Sequence, residues 1–229
     1  MLNYYAIAVT WFSLNTLLKY KYTDISIVGT CLSFVHSVTT TLLTYPYIKH
    51  ITSAEYNQEI IIYNDNDNYN DNYNDHYNDN DNDNYHFKYI LCSTLCFYMI
   101  DLTTVCIPMR LYKYITHHTC AIIMIMYMLV DGRSLNIAIN ILFYAECSVP
   151  IYILYNQLNI YKNALRKPVL CVYNCVGTWT RVIKFTEIFV MFSIFSPINS
   201  WIIVIPSGII CIGSIVFQWS MWGVLLSYD

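Results

Sequence analysis

The sequence predicts an all-α, polytopic membrane protein, with about seven transmembrane helices around a polar-lined cavity. Three observations carry that expectation. The chain of 229 residues is 56% hydrophobic and only 12% charged, with a mean hydropathy of +0.39, more apolar surface than a soluble domain of this size needs. Its apolar residues fall into seven runs, each long enough to cross or nearly cross a bilayer. The ionisable residues inside those runs are few, which in hydrocarbon marks them as paired, solvated or functional.

The runs are Leu2–Leu18, Ile25–Ile48, Tyr89–Ile107, Tyr114–Val130, Leu135–Tyr155, Val169–Ser193 and Ile198–Leu226. The first has neither a basic leader nor a small-residue cleavage site, so it reads as a retained helix. The fourth is short, and the last is long enough to tilt or to end at the interface. Trp201, Trp219 and Trp222 near the ends of the last run suit an aromatic belt. The whole chain, 1–229, reads as a single transmembrane domain.

Charge sets the expected orientation. Nine of the fifteen acidic residues lie between positions 49 and 88, so the net charge of −3 belongs to one insert and the remainder is basic. Seven spans would put Lys19, Lys21, Arg110, Lys113, Lys162, Arg166 and Lys167 on one side, and Lys49, Lys88 and Arg133 on the other. The positive-inside rule then predicts a cytosolic carboxyl terminus. Nothing in the sequence suggests a nucleic-acid partner; membrane lipids are the expected partners, and a homo-oligomer stays open.

Within the 49–88 insert, Tyr63–Tyr85 is built almost wholly of Asn, Asp and Tyr. It has no apolar content to form a core and is expected to be disordered. A calcium loop would need a glycine at its turn and a closing glutamate, and no glycine occurs between positions 49 and 88. The nine cysteines lie almost entirely inside spans, with Cys92/Cys96 and Cys171/Cys175 one turn apart, and read as small packing residues without disulfides.

The polar residues of the spans are His36, Asp101, His117, His118, Glu146, Arg181, Lys184 and Glu187. Each has a plain structural explanation. His36 could hydrogen-bond a neighbouring helix. Lys184 and Glu187 are i,i+3 neighbours that could pair. Glu146 lies four residues before Pro150, where a kink frees a carbonyl. Together His36, Asp101, His117, His118, Glu146 and Arg181 argue for more, because the expected topology places them in the cytosolic half of the membrane, where one partly hydrated cavity accommodates them. Adjacent helical residues point about 100° apart, so His117 and His118 cannot both face one partner.

Read in order, Phe34-Val35-His36-Ser37, Tyr98-Met99-Ile100-Asp101-Leu102, His117-His118, Glu146-Cys147-Ser148-Val149-Pro150 and Thr180-Arg181-Val182 resemble the TLC-domain family, which includes the ceramide synthases. The resemblance covers most of the chain outside the insert. Ceramide synthases follow the histidine pair with a His- and Asp-rich signature, whereas the fifth run here carries Glu-x-Ser-x-Pro, nearer the non-ceramide-synthase branch. The resemblance implies a protein of an internal membrane such as the endoplasmic reticulum, acting in lipid metabolism or lipid homeostasis.

Two functions of different class follow. In one, the protein is an acyltransferase acting on a long-chain lipid. His117 or His118 is general base or nucleophile, Asp101 orients the imidazole, and His36, Glu146 and Arg181 line the substrate site. No resident cofactor is expected; acyl-CoA would be a co-substrate, its phosphates met by Arg181, Arg110 or Arg166. In the other, the same cavity holds or moves a lipid without chemistry. An ion path is a third reading of the same residues. A metal site would want three or four converging ligands, and only His117 and His118 are close in sequence, so none is expected.

Overall fold

The computed structural model describes residues 2–48, 80–131, 135–195 and 201–228. Among the described residues there is no strand, and the α-helices join into seven rods. Helix α1 is Leu2–Lys21. Helix α2, Ile25–Thr44, ends in a 3₁₀ turn at Tyr45–Tyr47. Helix α3, Asn80–Asp101, continues into a π-helical turn at Leu102–Cys106. Helix α4 is Tyr112–Asp131. Helices α5, Leu135–Glu146, and α6, Val149–Ile160, form one rod broken at residues 147–148. Helix α7, Arg166–Gly177, passes through a second π-helical turn, Thr178–Lys184, into α8, Phe185–Phe195. Helix α9 is Trp201–Leu226.

Among the described residues five stretches are long and apolar enough to cross a membrane: Ile25–Tyr47, Tyr85–Cys106, Tyr112–Val130, Ile137–Ile160 and Trp201–Leu226. Two of the seven expected spans are not among them. Helix α1 is diluted by Asn3, Thr10, Asn15, Thr16 and its tyrosines, and the α7–α8 rod carries Arg181, Lys184 and Glu187 within seven positions. The outer surface suits lipid. On α9 the exposed side chains Ile202, Ile205, Ile209, Ile212, Val216 and Trp219 recur at steps of three and four, an apolar stripe on the outward face.

The helix ends follow local rules. Asp24 caps α2, its carboxylate accepting from the Ser26 N–H at 2.8 Å, and that bond holds the Asp24 carboxyl below its usual range. The rods ending at Arg110 and Lys162 both close as Schellman motifs. Leu111 N–H donates to Cys106 O and Arg110 N–H to Ile107 O; Asn163 N–H donates to Leu158 O and Lys162 N–H to Asn159 O. Each motif needs a left-handed residue, and Arg110 (φ 54°) and Lys162 (φ 50°) take that place.

Between helices in lipid, close backbone approach and polar contacts take over from the hydrophobic effect. Gly29 of α2 lies against Val105, where an added Cβ would fall 2.8 Å from Cγ1. Trp11 Nε1 donates to Ser93 Oγ at 3.0 Å and ties α1 to α3. Gln218 Nε2 donates to Asn174 Oδ1 at 2.9 Å and Asn174 Nδ2 to Met221 O at 3.1 Å, which ties α9 to α7. The apolar core runs through α1 to α5 and takes Phe185 and Ile210 from α8 and α9. Helix α9 packs along α4, α6 on α7, and α2 on α5.

The Asn/Asp/Tyr tract lies outside the described residues up to position 79. Its last six residues, Asn80–Tyr85, are helical and extend α3, contrary to the disordered expectation for 63–85. Elongating an existing helix costs far less than starting one, so the apolar run behind Tyr85 carries the helix into the tract.

Candidate functional site

Most polar residues of the spans meet around the end of the rod at Cys106 and the start of the rod at Tyr112, Lys184 and Glu187 apart. The break between α5 and α6 gives the first part. Pro150 has no N–H to offer the Glu146 carbonyl four residues back, and one residue earlier the Ala145 carbonyl accepts from Arg181 Nη2 at 2.6 Å. Arg181 Nε donates to Ser148 Oγ at 2.8 Å, so its guanidinium staples the second π-helical turn to the break. Arg181 therefore ties two helices together through these bonds. Arg166 of the basic loops is likewise engaged, over the Tyr228 ring at 5.1 Å.

Glu146, the last residue of α5, points inward. Its Oε2 accepts from Ser37 Oγ at 2.6 Å and its Oε1 from Tyr98 OH at 2.8 Å. With both oxygens accepting from hydroxyls, the carboxylate joins α2, α3 and α5. His36 Nε2 lies 3.7 Å from Oε1, too far for a hydrogen bond. The His36 ring stacks on Phe97, with centroids 3.9 Å apart and planes 8° apart, while Nδ1 lies 3.3 Å from Thr40 Oγ1. His36 is buried aromatic packing beside a carboxylate rather than a residue facing open space.

The histidine pair divides as helix geometry requires. His118 turns into the bundle, its Nε2 2.9 Å from Asp101 Oδ2, and both residues are buried. The same Oδ2 accepts from the Cys106 thiol at 3.2 Å. His118 Nδ1 and Asp101 Oδ1 are buried without a hydrogen-bond partner. His117 turns the other way, its ring 6.4 Å from that of Tyr98, and lines a cavity of about 50 Å³.

That cavity corrects the expectation of a polar-lined one. Tyr98 and His117 are its polar wall; the rest is apolar, with Leu91 of α3, Ala121 and Met128 of α4, Leu142 of α5, Phe185 and Ile210. It follows α4 from His117 to Met128, a rise of about 16 Å at 1.5 Å per residue. The result is a slot with imidazole and phenol at one end and hydrocarbon along its length. The hydrogen-bonded cluster of Glu146 and Asp101 lies behind that polar end.

The structure thus brings His36, Asp101, His118 and Glu146 into one buried cluster, places His117 on the slot, and gives Arg181 a structural task. Lys184 and Glu187 form the expected pair at 2.8 Å. Sequence reasoning gave no role to Ser37, Tyr98, Cys106 or Ser148. Tyr98 had a detectable signal, three residues before Asp101 and so on the same helical face. Cys106 had none, because its position depends on a π-helical turn.

No family model, curated protein or solved structure matches the chain. The fold and its apolar surface define a multi-pass membrane protein.

Proposed function

We propose that this protein transfers an acyl chain to a long-chain lipid within an internal membrane, in the manner of the TLC-domain family that its motifs resemble. The observation that supports this most is the slot, an apolar cleft along α4 that ends at the His117 imidazole. A hydrocarbon tail fits such walls, and the reacting end of the lipid then lies at the ring. In the step we envisage, the acceptor's amine or hydroxyl attacks the carbonyl carbon of an acyl thioester. The new C–N or C–O bond forms as His117 takes the acceptor's proton; the C–S bond breaks, and the departing thiolate receives that proton. Asp101 and His118 are positioning residues here, fixing the start of α4 through their 2.9 Å contact.

A second reading, lipid holding without chemistry, draws on Arg181. Its commitment to Ser148 and Ala145 leaves it unsuited to meeting the phosphates of a CoA thioester. Lipid profiling separates the two readings. Membranes containing wild type, His117→Ala and Asp101→Asn at matched abundance are compared with membranes lacking the protein. The acyltransferase reading expects a lipid product in wild type that His117→Ala abolishes and Asp101→Asn strongly reduces. A wild-type profile from both variants overturns it in favour of lipid holding.

A further inference from the structure

We propose that Asp101, Cys106 and His118 form a transition-metal site suited to Zn²⁺. The site shares Asp101 and His118 with the lipid reading, but its evidence and its test do not rest on that reading. A carboxylate oxygen, a thiol sulfur and an imidazole nitrogen from these residues all lie within 4.8 Å of one another, and all three residues are buried. A mixed N, S and O set suits zinc, whereas calcium and magnesium take oxygen ligands.

Distances agree with a cation of that size. Around zinc, with bonds of about 2.0 to 2.3 Å, neighbouring tetrahedral ligand atoms lie roughly 3.3 to 3.7 Å apart. Here His118 Nε2 to Asp101 Oδ2 is 2.9 Å and Cys106 Sγ to the same oxygen is 3.2 Å. These two pairs need to part by only about half an ångström to admit the ion, and the imidazole and thiol lie within 4.8 Å of each other.

Two further observations point to a ligand. Asp101 Oδ1 is buried with no hydrogen-bond partner, so the carboxylate keeps an unused coordinating atom where a plain structural contact would be satisfied. A second carboxylate oxygen can complete the coordination. The backbone also departs from α-helix in the segment that delivers the thiol. In an α-helix Cys106 would lie about 140° around the axis from Asp101, since five residues turn the chain about 500°. The π-helical turn at Leu102–Cys106, closed by Ile107 N–H to Leu102 O at 3.0 Å, brings both onto one face.

Charge bookkeeping favours the ion as well. Binding deprotonates the Cys106 thiol and releases that proton to solvent. Zn²⁺, one thiolate and one carboxylate then sum to zero around a neutral imidazole, so no net charge is buried. The site lies about six residues from the start of α4, roughly 9 Å, which gives a short path from the helix ends.

The test uses the full chain, free of any affinity tag, purified in detergent micelles. After incubation with Zn²⁺ and removal of excess, elemental analysis is expected to give about one zinc per chain. Co²⁺ in its place is expected to give an intense near-ultraviolet thiolate-to-metal band, which reads sulfur ligation in the wild type without any variant. Cys106→Ser removes that band, and Asp101→Asn weakens zinc binding about tenfold or more. Cys120→Ser, a buried cysteine on α4 outside the cluster, leaves both unchanged. Wild type that stays zinc-free while eluting as a single folded species overturns the proposal. So does a Co²⁺ spectrum lacking the thiolate band, or one that persists in Cys106→Ser.

Discussion

Tyr98→Phe removes one oxygen from the core and changes no packing volume of consequence, so its effect isolates the Glu146 contact. The carboxylate accepts from Tyr98 OH at 2.8 Å and Ser37 Oγ at 2.6 Å. Hydrogen bonds to an ionised acceptor contribute about 1.5 to 3 kcal/mol, and leaving a buried acceptor unpaired adds its desolvation cost. His36 at 3.7 Å is too distant to replace the phenol. Tyr98→Phe is therefore expected to destabilise the fold by about 2 kcal/mol, read as a shift in reversible unfolding in mixed micelles. The same change in a Glu146→Gln background meets only a neutral amide, and its cost is expected to fall to about 1 kcal/mol. The coupling, about 1 kcal/mol, measures the ionised contact. An equal loss in both backgrounds, or a Tyr98→Phe protein within about 0.5 kcal/mol of wild type, would refute the reasoning.

Three other substitutions probe the backbone. Gly29→Ala places a Cβ 2.8 Å from Val105 Cγ1, and a β-branched neighbour has little rotamer freedom to yield, so a loss of about 1 to 3 kcal/mol is expected in the same unfolding assay. Gly213→Ala, with nothing within 4 Å, serves as its control and is expected to be neutral or slightly stabilising. Lys162→Gly relieves a left-handed residue at φ 50° and is expected to stabilise by about 0.5 to 1 kcal/mol; lower stability would show that the lysine side chain outweighs the strain.

Much of the architecture was legible because hydrocarbon is an exacting solvent. Five long apolar runs announce themselves, and Pro150 forecasts the break between α5 and α6. The two remaining rods were harder. Helix α1 looks apolar by its tyrosines, which count for less than aliphatic residues, and α7–α8 interrupts its apolar run with Arg181, Lys184 and Glu187. The sequence puts His36, Asp101, His118 and Glu146 in one partly hydrated cavity, and the structure draws them into a buried cluster. Which partner each would take was not legible, since that depends on how the helices are rotated. Ser37 and Tyr98 therefore looked like ordinary residues until they met Glu146. Cys106 was read as packing because α-helical periodicity turns it away from Asp101, and a local change of helix pitch leaves no trace in composition. The histidine pair was more informative. Their 100° separation alone required two different surroundings, which turn out to be a carboxylate for His118 and a hydrocarbon slot for His117.

The junction between α2 and α3 has a consequence for how this gene can change. Ile48 and Asn80, between which residues 49–79 run, lie at the far ends of their rods, about 18 Å along the axis from His36 and about 31 Å from Asp101. Codons gained or lost there by replication slippage alter neither the helix rotations nor the contacts that gather the buried polar groups. A reporter sequence spliced between Ile48 and Asn80 would therefore enter far along both rods from the His118–Asp101 contact, where a single atom matters.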